Sequence, residues 1–268
     1  MFEIFALDIV KRAFLATTLV APIAPLFGIF LILKRYAFFA DTIAHIGFLA
    51  IALSLFFNIN SLLFLIILSI LVSLLVEQLR GKQKLPAEAS LSFFLYAGVA
   101  LSVVFITFSG KGTSIVGILF GSITTVTKED IYLIAAGAFT CIGFLAKYFK
   151  KLLNLCIDEE IAHASGVNTK LINLIFAVTV AVSISISIKT MGAFLVGALI
   201  IIPPLCAMQI SKSFSRTVVL SILFSLFSSY LGIPLSFYSG IPFGASVGVI
   251  LIGLFLVSLI SRHLKIKF

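Results

Sequence analysis

Tryptophan is absent from this chain, and charge is scarce: 11% of its 268 residues are Asp, Glu, Lys or Arg. The first absence removes one usual marker of a membrane–water boundary, leaving Tyr and Lys/Arg to fix the ends of spans. The second, set against 61% hydrophobic residues, excludes an ordinary soluble domain. Only three cysteines occur, Cys141, Cys156 and Cys206, odd in number and scattered. Neither a disulfide framework nor a CxxC metal site is available, and they read as small buried apolar residues. No GxxxxGK[ST] occurs, since Gly110-Lys111-Gly112-Thr113-Ser114 lacks the upstream glycine. There is no HExxH and no workable Ser/His/Asp set, so the chain is read as a non-enzyme. The net charge of +9 would suit nucleic acid, but the basic residues lie between apolar runs rather than in one patch. The first apolar run is too long for a secretory signal core, and Lys34-Arg35 follows it instead of a cleavage site.

What the chain does have is hydrophobic runs of near-spanning length, at 13–33, 41–58, 61–79, 88–109, 131–149, 171–188, 193–210, 216–233 and 244–261. A shorter run, 114–126, carries Gly117, Gly121 and Ser/Thr residues and reads as a half-helix or re-entrant segment. The pattern predicts an all-α polytopic membrane protein of 8–9 transmembrane helices plus that short segment, forming one domain over 1–268. With the N-terminus outside and nine spans alternating, the loops facing the cytoplasm hold Lys34, Arg35, Arg80, Lys82, Lys84, Lys147, Lys150, Lys151, Lys170, Lys212, Arg216, Arg262, Lys265 and Lys267. The outer side holds Lys11, Arg12, Lys111, Lys128 and Lys189. That bias obeys the positive-inside rule and puts the C-terminus in the cytoplasm. It survives only if 114–126 does not cross.

Asp41 and His45 stand at the mouth of, or inside, a hydrophobic span, four residues apart and so on one helix face, ~6 Å apart along the axis. A membrane carboxylate costs roughly 2.5–3.5 kcal/mol on insertion scales and ordinarily faces a partner or an aqueous cavity. Carboxylate and imidazole together are ligands that zinc or manganese accepts. The alternatives are an intramembrane salt bridge that fixes packing and an Asp41 that merely caps the helix. The segment Asp158-Glu159-Glu160-Ile161-Ala162-His163-Ala164-Ser165-Gly166-Val167, within the cytoplasmic stretch 152–170, reads either as a solvated turn or as a docking helix ended by Gly166. Pro203 and Pro204 lie mid-span after Gly197, where proline kinks or breaks a helix, for packing or to line a cavity. Pro242 and Gly244 mark a tight turn into the last span, and Gly244 with Gly248 has the spacing of helix–helix packing.

Taken together, these pieces resemble the membrane subunits of bacterial zinc, manganese and iron ABC importers. The run Lys34-Arg35-Tyr36-Ala37-Phe38-Phe39-Ala40-Asp41-Thr42-Ile43-Ala44-His45 is similar to the motif after their first span. Leu119-Phe120-Gly121-Ser122, Asp158…Ala162…Gly166, Gly197-Ala198-Leu199-Ile200-Ile201-Ile202-Pro203 and Pro242…Gly244-Ala245 match in order and spacing. The resemblance implies a fold related to cobalamin and siderophore importers, a homodimer in the bacterial cytoplasmic (inner) membrane, and no resident cofactor. Its partners would be two cytoplasmic ATPase subunits, docked at Asp158, Glu159, Glu160, Ala162 and Gly166, and an extracytoplasmic metal-binding protein. Asp41 and His45 would lie on the path of Zn2+ or Mn2+. Gly197, Pro203, Pro204, Pro242 and Gly244 are read, from the residues themselves, as candidate helix breaks or gates. The rival reading is an ion-coupled secondary transporter using Asp41 and His45 as a proton relay.

Overall fold

The computed structural model describes residues 8–81, 87–110, 115–121 and 126–266. The chain is all-helical: α1 Asp8–Val20, α2 Ile23–Leu33, α3 Phe38–Phe57, α4 Ser61–Gly81, α5 Ala87–Ser109, α6 Ile115–Phe120, α7 Lys128–Ile157, α8 Glu159–Ala164, α9 Thr169–Met191, α10 Val196–Ile210, α11 Phe214–Ser239 and α12 Phe243–Ile266. Among the described residues, eight stretches are long and apolar enough to cross a bilayer, the first being Val10–Leu33, built from α1 and α2. The run 193–210 yields α10, whose 15 residues rise ~22 Å, short of a ~30 Å hydrocarbon core. Six-residue α6 rises only ~9 Å and cannot cross. Ser114 and residues 122–125 of that segment lie outside the described residues, as do Lys82, Lys84, Lys111 and Lys267 of the charge pattern.

Two compact units are formed, one from Met1–Ile29, Val116–Ala135 and Ser187–Phe268, the other from Phe30–Ile115 and Ala136–Ile186. In the first, α10, α11 and α12 pack on one another and α1 lies on α11. Phe14 stacks on Tyr230 with ring centroids 4.7 Å apart. The first apolar run reads as one span, yet its helix is interrupted at Ala21-Pro22. In a continuous helix the carbonyl of Ala21 would accept from the N–H of residue 25, and Pro25 has none. The Ser225 hydroxyl on α11 donates to that oxygen instead, at 2.6 Å.

Proline shapes a second contact in the same unit. Pro204 cannot donate to the Ile200 carbonyl, and Gly28 of α2 packs directly against that oxygen. A Cβ placed on Gly28 would lie 1.8 Å from Ile200 O and 2.8 Å from its carbon. Backbone therefore meets backbone, in the sense of a Cα–H···O contact. Gly28→Ala should separate α2 from α10 and cost about 1–3 kcal/mol or more. Thermal unfolding in detergent reads that loss, and an unchanged midpoint would contradict the close approach.

In the second unit α3 packs most extensively on α5, and both touch α4. Phe30 meets Phe149 and Phe176 edge to face, at 5.5 and 6.4 Å. Cys141 is buried and its thiol donates to Thr179 O at 3.6 Å, so it serves as a core residue.

Candidate functional site

The first turn of α3 decides what Asp41 can be. Arg35 takes a left-handed backbone (φ 53°), turning the chain out of α2. Ala37 occupies the cap position with no side-chain hydrogen bond. Asp41 thus lies a full turn inside the helix and is not its cap. Among the described residues it enters no salt bridge either. Neither alternative reading of the carboxylate is supported by its surroundings.

Burial then isolates the pair. From Phe39 to Ala50 every side chain on α3 is buried except Asp41 and His45, which are half-buried. Phe38, exposed, extends the same strip toward the helix start. Thr42 anchors the neighbouring face, its hydroxyl donating to Phe38 O at 3.0 Å and lying 3.3 Å from Leu91 O on α5. One turn on, a Cβ at Gly98 would sit 3.1 Å from His45 O, so α5 fixes the backbone that carries the imidazole. The sequence reading did not single out Gly98; a lone glycine in the apolar run 88–109 was its only signal. Among the described residues no group of three or more His, Cys, Asp or Glu is arranged to hold a metal ion. A carboxylate and an imidazole on one accessible strip can offer two ligands, suited to passing an ion rather than keeping it.

The acidic segment resolves into three different roles. Asp158 caps α8, its Oδ1 accepting from the N–H groups of Glu160 at 2.8 Å and Ile161 at 3.0 Å. Glu159, although exposed, accepts from Asn173 Nδ2 at 2.7 Å. Glu160 is exposed, next to Ile161 (64% exposed) and near Ile157 (82%), whereas Ala162 is buried. Gly166 closes the turn with φ 81°, and Val167 N–H returns to Ala162 O at 3.2 Å. A cleft of about 210 Å³ opens beside α8, lined among others by Lys34, Arg35, Arg80, Cys156, Asp158 and Glu159. Lys34 there donates to Asn173 Oδ1 at 2.5 Å and lies 4.8 Å from the Phe176 ring centroid. Burial pulls its ammonium below the usual lysine range, while Glu77 and Glu159 act in the opposite sense.

The break and gate residues Gly197, Pro203, Pro204, Pro242 and Gly244 belong to the other unit. Pro203 and Pro204 do not break the helix: α10 runs through both. The interruption falls earlier, at Gly192–Leu195, where Gly192 has φ 82°. Here the ends of α6 and α9 meet the start of α12, just after Pro242. A Cβ at Gly192 would lie 2.2 Å from Gly121 N, one at Gly121 2.5 Å from Met191 C, and one at Gly244 2.1 Å from Met191 O. Phe194 N–H bonds Leu119 O at 2.9 Å across the same junction. Gly197 is buried in the first turn of α10, and a Cβ at Gly248 would meet Leu195 at 3.0 Å, in keeping with a packing role for its spacing from Gly244. Ser122, the last residue of the 119–122 motif, lies outside the described residues.

The model of the ABC 3 transport family matches residues 6–262. The high-affinity zinc uptake system membrane protein ZnuB of Buchnera aphidicola subsp. Acyrthosiphon pisum is 32% identical over 238 residues, covering 88% of this chain and 91% of that one. The manganese transport system membrane protein MntC of Listeria monocytogenes is 23% identical over 248 residues, covering 92% of this chain and 89% of that one. In fold, the chain is similar to the solved structure of PsaBC from Streptococcus pneumoniae in complex with Fab. That match has a TM-score of 0.86 at 22% identity and covers the whole of both chains.

Proposed function

The chain belongs to the ABC 3 transport family, and on that premise we propose that it is the membrane-spanning subunit of an ATP-driven importer of divalent metal ions, zinc first and manganese or iron next. The observation that carries the proposal is the accessible strip on α3, where only Asp41 and His45 escape burial between Phe39 and Ala50. A half-buried carboxylate and imidazole inside an apolar span are explained by an ion that visits them. The ion is the substrate, and no resident cofactor is required. Zinc comes first because the zinc relative shares 32% identity against 23% for the manganese relative. Both donor types nevertheless serve either ion.

In this reading two copies of the chain face each other, with the ion passing between them. Two separate ATPase subunits dock against α8 on the cytoplasmic side. Ile161 and Glu160 supply an apolar and a charged contact there, since Asp158 and Glu159 are occupied within the chain. A metal-binding protein delivers the ion from outside. ATP binding and hydrolysis would bias two packings of the helices, and the ion would move as they exchange.

The test is uptake of radioactive zinc by cells depleted of ATP while a proton gradient is held. Uptake should stop with the ATP. Continued uptake would favour the proton-relay reading and overturn this one.

A further inference from the structure

The chain places a buried amide between two opposite charges, and neither charge belongs to the ion strip. Lys34 opens the short link from α2 to α3, seven residues before Asp41. Glu159 is the first residue of α8. Asn173 on α9 stands between them, its Oδ1 accepting from the Lys34 ammonium and its Nδ2 donating to the Glu159 carboxylate. An ammonium only donates and a carboxylate only accepts, so the amide has a single orientation that satisfies both. Phe176, one turn along α9, carries Lys34 on its ring face and confines it further. Arg80 lies over the Tyr36 ring at 5.1 Å and is 3.4 Å from Glu77, so the same link is held from α4 as well. A cleft opens beside these groups at the start of α8.

We propose that Lys34 is a positioning residue for transport, transmitting the position of α8 through Asn173 to the start of α3. The inference rests on the function proposed above, in which α8 meets the ATPase and α3 carries the ion. Two full charges joined through one oriented amide respond sharply to displacement. A shift of α8 that removes Glu159 leaves the amide N–H groups without their acceptor and no longer fixes the orientation of the amide that holds Lys34, and the link before α3 is loosened. A shift that keeps Glu159 in place holds that link fixed. Apolar contacts alone would not make this distinction, because dispersion is weakly directional.

The experiment uses the complete transporter, with its ATPase subunits and binding protein, in proteoliposomes loaded to report zinc entry. ATP hydrolysed per zinc ion delivered is measured for the wild type, Lys34→Met, Asn173→Leu and the double variant. Each single variant should keep its ATPase subunits through purification and raise the ratio by roughly five- to tenfold. The double variant should be no worse than either single one, because all three cut the same connection. Lys34→Arg, which retains a donor, should recover part of the coupling. A ratio equal to wild type in the single variants, or additive loss in the double, would overturn the proposal. If Lys34→Met does not insert, Asn173→Leu and Lys34→Arg decide it by the same ratio. Failure of the broader reading looks different: the wild-type complex would hydrolyse ATP and deliver no metal ion at all.

Discussion

Asp41→Asn and His45→Ala each reduce radiometal uptake by at least about 100-fold, the scale expected when a ligand itself is lost, since even second-shell changes cost 10–100-fold. The chain should still insert and accumulate as the wild type does. Asparagine keeps the shape of aspartate but removes the charge and exchanges one acceptor oxygen for an NH2 donor, so a loss at this position is a loss of ligand character. Asp41 makes no salt bridge among the described residues, so the change breaks no charge pair there. Removing a carboxylate from an apolar span relieves a cost rather than adding one. For His45 the backbone is held by contact with Gly98 and by buried neighbours on both sides, which are unaltered by truncation to alanine. Normal uptake by both variants would remove the strip on α3 from the mechanism.

Gly192→Ala should be strongly damaging for folding. A non-glycine residue at φ 82° costs of order 1–3 kcal/mol. Its methyl would also meet Gly121 N at 2.2 Å and Leu119 O at 2.5 Å, which are backbone atoms and cannot swing aside. Overpacking adds roughly another 1–3 kcal/mol, giving about 2–6 kcal/mol in all. The matched control is Gly253→Ala, where nothing lies within 4 Å of the new carbon. That change should be neutral or stabilising by up to about 1 kcal/mol, because alanine is the better helix former. The two midpoints of thermal unfolding in detergent make the comparison. A Gly192→Ala protein as stable as the control would mean that the α6–α9–α12 junction is not as tight as its backbone distances require.

The spans were legible because a bilayer demands about 20 apolar residues in a row, and composition reports that directly. Asp41 and His45 were legible for the opposite reason: ionisable groups in an apolar run have few uses. Backbone geometry was harder to read. The break at Ala21-Pro22 lies inside a run that hydropathy treats as continuous, and the interruption before α10 follows Gly192 rather than Pro203 and Pro204. Proline was given the role of breaking the helix, yet a freed carbonyl is harmless when a glycine can close on it, as Gly28 does on Ile200. The duties of Asp158 and Glu159 could not be separated in sequence. One caps its own helix, while the other answers to Asn173, and through it to Lys34, more than a hundred residues earlier. Asn173 did offer a signal, being the one amide in the apolar run 171–188.

The hydroxyl of Ser225 does for Ala21 what a peptide nitrogen does elsewhere in the helix. Positions 25 and 225 should therefore be inherited as a pair. A lineage that exchanges Pro25 for a residue with an N–H restores the local donor and frees the serine to drift. One that loses the serine first comes under selection to shed the proline.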